Sequence, residues 1–136
     1  METNERRALL HISNNPDESI DYLITLQGSF VSNENNKPII ISIRYVPDFS
    51  IVNPDSFRSY LTALSEQNWE NLENIATTII GDLSNQLVSR WICIKATASE
   101  GFYPGLGHHE ILIEDRQPEW SNQNLLSLGE NIKNSS

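Results

Sequence analysis

A chain of 136 residues with 38% hydrophobic content has room for one domain with a modest core. Its formal net charge of −9 argues against nucleic acid as the main partner, because phosphate recognition needs clustered lysine and arginine. No apolar run approaches the roughly 18 residues of a membrane span, the charged start METNERRALL lacks the apolar stretch of a secretory signal, and a lone Cys93 makes neither a disulfide nor a metal cluster; a cytoplasmic protein is expected.

Residues 1–18 are polar, with a breaker at Asn14–Pro16, and are expected to form a flexible arm in which Arg6, Arg7, Leu9 and Leu10 make at most a helical turn. The segment 20–31 (IDYLITLQGSFV) has the content of a strand, interrupted by Gly28, which marks a bulge or a close backbone approach. After the turn SNENNK, residues 38–46 (PIIISIRYV) are the clearest strand. Ile39, Ile41, Ile43 and Tyr45 share its core face, and Ile40, Ser42, Arg44 and Val46 share the other. Arg44 and Asp48 could pair at a subunit boundary.

Asn53 and Pro54 signal a helix start, cap followed by proline at the first helical position, and Phe57, Tyr60, Leu61 and Leu64 form the buried stripe. A short link at 65–67 leads to a second helix over 68–83 (NWENLENIATTIIGDL), with Asn68 as cap and an apolar stripe of Leu72, Ile75, Ala76, Ile79, Ile80 and Leu83. Strands over 88–97 (VSRWICIKAT) and 109–114 (HEILIE) follow, separated by the glycine-rich loop 99–107. The tail from residue 117 is polar, with Leu125, Leu126 and Leu128 as a weak helical turn. The order is ββααββ: an α+β domain over 19–116 with an antiparallel sheet and two helices on one face.

The residues Ile41–Asp48 (ISIRYVPD), then Ser56–Leu61 (SFRSYL), Glu73, Asp82, Leu83, Arg90 and Trp91, resemble in order the core of the NADPH-dependent 7-cyano-7-deazaguanine reductases of queuosine biosynthesis, the QueF family. The resemblance covers about residues 26–96. It implies the tunnelling fold (T-fold), in which ββααββ subunits join their sheets into multi-subunit barrels with ligand pockets at subunit interfaces, so a homo-oligomer is expected. The family's cysteine nucleophile and catalytic aspartate fall at Phe30 and Lys37, its Glu-Ser-Lys-Ser motif is altered at Asn53 and Asp55, and its histidine before the anchor glutamate is Leu72. Nitrile reduction through a covalent thioimide needs a thiolate, so a diverged relative is expected, without catalytic residues, cofactor or metal, that binds a purine- or pterin-like ligand at subunit interfaces or serves as an assembly or regulatory partner. The alternative is a working reductase using NADPH, or another T-fold enzyme acting on a purine or pterin.

What the resemblance carries over is a ligand anchor. Glu73 stands where T-fold proteins bind the N–H edge of a purine or pterin ring, and a carboxylate can accept two parallel N–H bonds. The plain alternative is a first-turn glutamate favoured by the helix dipole. Glu70 is the equivalent if the register is off by one turn. Ser56 and Trp91 are the other candidate ligand contacts, Trp91 by stacking on a ring. His108 and His109 point to opposite faces of a strand and chelate poorly. Cys93 reads as a small buried hydrophobe.

Overall fold

The computed structural model describes residues 1–134. In chain order the elements are α1 (Thr3–Ala8), β1 (Ile12–Asn14), β2 (Ile24–Val31), β3 (Pro38–Pro47), β4 (Ser50–Val52), α2 (Pro54–Ser65), α3 (Leu72–Leu87), β5 (Ser89–Ala98), β6 (His109–Arg116) and α4 (Gln123–Asn134). The period-two pattern of β3 makes it a central strand: Ile39, Ile41, Ile43 and Tyr45 are buried beneath the helices. It pairs antiparallel with β2 on one side and β5 on the other, and β6 completes a four-stranded sheet in the order β2-β3-β5-β6. The stripes of α2 and α3 cover one face, with Tyr60, Leu64, Ile79 and Leu83 fully buried against Ile92, Ile94 and Ala96 of β5. This is the expected ββααββ core, with β4 inserted between β3 and α2 and further elements at both ends.

Gly28 lies in continuous register opposite Ile41, so it marks no bulge. It marks a close approach instead, because a Cβ there would stand 2.6 Å from Leu61 Cδ1 of α2.

The second helix starts later than its apolar pattern implies. Asn71, not Asn68, is the cap, accepting at 2.7 Å from the Asn74 amide. Trp69 folds back onto α2, donating from Nε1 to the Leu64 carbonyl at 2.9 Å, and this holds the residues before Asn71 in the link. The helix then runs past Asn85 to Leu87 and stops at Val88, which takes a left-handed φ of 42°. A β-branched residue is strained there. Because Val88 is also exposed, Val88→Gly is expected to raise stability by about 0.5–1 kcal/mol, read as a higher urea midpoint at unchanged slope.

The N-terminal segment is not a loose arm. Leu10 is buried in the core, β1 pairs with β4, and the His11 carbonyl accepts from the Asn53 amide at 2.8 Å. Arg6 and Arg7 both reach the buried carboxylate of Asp82 on α3. The sequence pattern missed this because the segment carries little apolar surface of its own; a buried ion pair between distant residues leaves no periodic signal.

The expected polar tail is likewise ordered up to Asn134, its last two residues lying outside the described ones. β6 continues to Arg116, and α4 lies on the second face of the sheet, where Leu126 packs on Val46 and Trp91. Gly129 permits the close crossing, since a Cβ there would meet Leu23 Cδ2 at 2.6 Å and Arg44 Nη2 at 2.7 Å. Within the chain Asp48 does not pair with Arg44. It takes Arg90 at 3.4 Å and the Gln117 amide at 2.8 Å. Asp21 binds Arg90, Trp120 and Asn122 beside it, at 2.8, 3.1 and 3.1 Å. Burial opposes ionisation of Asp21, but hydrogen bonds from Asn122, Arg90 and Trp120 outweigh it and hold the carboxyl below its ordinary range. No helix among the described residues is long and apolar enough to cross a membrane.

Candidate functional site

Three connections converge at one end of the helix-covered layer: the β2–β3 turn, the α2–α3 link, and the loop before β6. The turn is closed by Ser32 N–H to the Lys37 carbonyl at 2.9 Å. It is tied to the link by Asn33 Nδ2 to Asn68 Oδ1 at 3.2 Å, and to the loop by Asn35 Nδ2 to the Phe102 carbonyl at 3.5 Å. Between them lies a cleft of about 170 Å³. Trp69, Phe102 and Tyr103 give it aromatic walls, and Glu34, Glu70 and Gln67 give it polar ones. Concave, mostly apolar spaces with a few converging polar groups are where small molecules bind.

Glu73 sits in the first turn of α3, with 58% of its side chain exposed and Oε1 3.5 Å from His109 Nε2. The His109 ring packs against Tyr103 with centroids 5.4 Å apart, and Nδ1 of His109 is buried without a hydrogen-bond partner. Tyr103 therefore belongs to both the cleft and the Glu73–His109 pair. The arrangement offers a solvent-facing carboxylate near an imidazole, beside aromatic surface.

The expected site residues do not all converge. Glu73 is at this site, and Glu70, which precedes the helix, lines the cleft. Ser56 is buried at the start of α2, where its hydroxyl oxygen accepts from the His11 amide at 3.0 Å and donates to the Asn53 carbonyl at 2.8 Å. Trp91 lies on the second sheet face, its Nε1 donating to Glu114 Oε2 at 2.8 Å and its ring under Leu126. Phe30, at the position of the reductase cysteine, is buried in the core. Cys93 faces the second side of the sheet with Trp91 and Val46, away from Glu73. His108 and His109 diverge, the first toward Glu110 at 3.5 Å and the second toward Glu73. No group of three or more potential metal ligands occurs among the described residues.

Sequence reasoning missed His109 as the partner of Glu73, and Gln67, Trp69 and Tyr103 as lining. An aromatic pair in a glycine-rich loop was the available signal for Tyr103; nothing in the spacing joins residue 109 to residue 73.

No protein-family model matches the chain, and no curated protein is similar to it in sequence. Among solved structures, the apo crystal structure of the archaeosine synthase QueF-Like superposes with a TM-score of 0.57 at 11% identity, over 76% of this chain and 98% of that one. The fold is QueF-like. At 11% identity the likeness concerns backbone arrangement, so chemistry has to be argued from the side chains.

Proposed function

We propose that this is a diverged QueF-like protein that has lost nitrile reduction and binds a purine- or pterin-like ring, anchored by Glu73 and resting against the aromatic cleft. The observation that supports this most is the Glu73 carboxylate: exposed, next to His109, and joined through Tyr103 to a cleft walled by Trp69 and Phe102. A carboxylate accepting paired N–H groups forms charge-assisted bonds, worth about 1.5–3 kcal/mol each. What supports loss of the reductase chemistry is the position of sulfur. A thioimide intermediate needs a thiolate within reach of the ring, and the chain's one cysteine faces the far side of the sheet.

The proposal includes assembly. The edge strands β2 and β6 carry exposed Val31 and Leu112, and unpaired edges are satisfied by pairing with neighbouring copies. In such a ring the site acquires a second wall from the next subunit.

A thermal-shift screen with purine and pterin bases tests the reading. At least one base is expected to raise the melting temperature, and Glu73→Gln, which keeps the shape but halves the acceptor capacity, weakens that ligand at least about tenfold. Steady NADPH consumption by the purified chain with 7-cyano-7-deazaguanine overturns the proposal, as does undiminished binding by the variant.

A further inference from the structure

The second face of the sheet carries a cavity of its own, which shares no residue with the cleft. It lies between α4 and the strands β3, β5 and β6 and holds about 310 Å³. Arg44, Lys95, Glu110, Leu112 and Glu130 line it. On its floor Arg44 stands opposite Cys93, and Lys95 stands opposite Leu112. Lys95 and Glu110 meet at 3.4 Å, and Glu110 also takes His108 at 3.5 Å. Arg44 and Glu130 line the same cavity, yet neither makes an ion pair or a side-chain hydrogen bond among the described residues.

For Arg44 this is unusual within the chain. Every other arginine meets a carboxylate: Arg6 and Arg7 at Asp82, Arg58 at Asp55, Arg90 at Asp21 and Arg116 at Glu114. Arg44 is half-buried, and α4 crosses it at Gly129, where a Cβ would stand 2.7 Å from Nη2. A guanidinium shielded from water on one side and given no acceptor costs free energy, which a ligand carboxylate removes through two parallel N–H···O bonds. Glu130 follows Gly129 directly and presents the opposite charge at the rim.

We propose that this cavity binds a small zwitterion of the amino-acid class, with its carboxylate on Arg44, its ammonium on Glu130 and its hydrocarbon against Leu112. The dimensions agree. β3 and β6 are two strands apart, roughly 10 Å, so a molecule of amino-acid size spans from Arg44 over Cys93 to Leu112, which is 65% exposed. Simpler ligands fit less well. A plain anion meets Glu130 as a like charge, in a chain whose net charge of −9 already repels it. A plain amine leaves Arg44 without an acceptor. This site lies beyond the ring-binding reading and does not depend on it.

L-Leucine is the probe, with binding to the full chain read by isothermal titration calorimetry. Leucinamide lacks the carboxylate, 4-methylpentanoate lacks the ammonium, and glycine lacks the hydrocarbon. Leucine is expected to bind at least about tenfold more tightly than either of the first two, the worth of one charge-assisted contact, and more tightly than glycine. Arg44→Gln and Glu130→Gln are each expected to weaken leucine by at least about tenfold. Glu130 is exposed on α4, so Glu130→Gln leaves the fold intact and decides the matter even where Arg44→Gln loosens α4.

Failure of the parent chain to bind leucine at about 10 mM overturns the proposal. So does leucine binding that Glu130→Gln leaves undiminished. Equal binding of 4-methylpentanoate marks a plain anion site, equal binding of leucinamide a plain cation site, and equal binding of glycine a site without Leu112; each of these overturns it as well.

Discussion

Asp82→Ala is expected to destabilise the fold by about 3–5 kcal/mol, a large share of the stability of a domain this size. Asp82 is fully buried on α3, and four donors converge on its two oxygens. Arg6 binds through Nε at 2.5 Å and Nη2 at 3.0 Å, Arg7 through Nε at 2.9 Å, and the Tyr60 hydroxyl at 2.5 Å. Alanine leaves the Arg6 guanidinium, only 11% exposed, and the buried Tyr60 hydroxyl without their acceptor. The large effect is the cost of those stranded groups, not the intrinsic worth of the pair. Arg7 is 28% exposed and can rehydrate, so Arg7→Ala costs less than Arg6→Ala. Urea denaturation of the three variants gives the order. A loss under about 1 kcal/mol for Asp82→Ala means that the N-terminal segment is undocked in solution.

The same cluster sets an acid limit. Burial opposes ionisation of Asp82, yet hydrogen bonds from Arg6, Tyr60 and Arg7 outweigh it and hold the carboxyl below its ordinary value of 3.8. Burial and the neighbouring Asp82 charge push the Tyr60 hydroxyl well up, so it stays a donor across the physiological range. A carboxyl depressed in the folded state contributes stability that is fully present above its unfolded value and is lost as pH falls through its folded one. Stability is therefore expected to drop below about pH 4. Asp82→Asn, lower overall, flattens that part of the profile.

How much of this was legible depends on whether a signal was periodic. The alternation in Pro38–Val46 and the stripes headed by Phe57 and Leu72 mark the sheet and its two helices, since burial of one face imposes a fixed spacing. The contacts made by the chain ends follow no period. Arg6 and Asp82 are 76 residues apart, and neither announces the other. Leu126, the buried apolar residue of a mostly polar tail, docks α4 against Val46 and Trp91 on the second face, with Trp120 and Leu125 packed beside it. At the candidate site, the QueF resemblance pointed to Glu73, but the residues of the neighbouring cleft come largely from the link and a long loop, where sequence carries the least conformational information. The helix start failed for a local reason. Asn68 and Asn71 are equally good caps by composition, and the Trp69–Leu64 hydrogen bond decides between them.

Trp91→Ala is expected to cost about 3–5 kcal/mol through the loss of a large buried ring, and to release α4 from the sheet. The ring is 5% exposed between Val46 and Leu126, with Leu23, Trp120 and Leu125 packed around the cluster. Its indole N–H donates to Glu114, and that bond, with a further one from Arg116, holds the Glu114 carboxyl below its ordinary range. Half of the Glu114 side chain is exposed, so losing the bond leaves a carboxylate that water satisfies. The cost is therefore mainly one of packing. Trp91→Phe, which keeps most of the ring, retains α4 and most of the stability, whereas Leu126→Ala reproduces the release from the other side of the contact. Because the two residues touch, the double variant Trp91→Ala with Leu126→Ala loses less than the sum of the single losses. Limited proteolysis at the residues before α4 reports release directly, since a docked helix protects them and a detached one does not. A ligand-stacking Trp91 gives the opposite pattern: near-native stability, intact α4 protection, and loss of ring binding. Seen from Glu73, Trp91 is on the far face of the sheet, and the packing that surrounds it leaves α4 as its occupant.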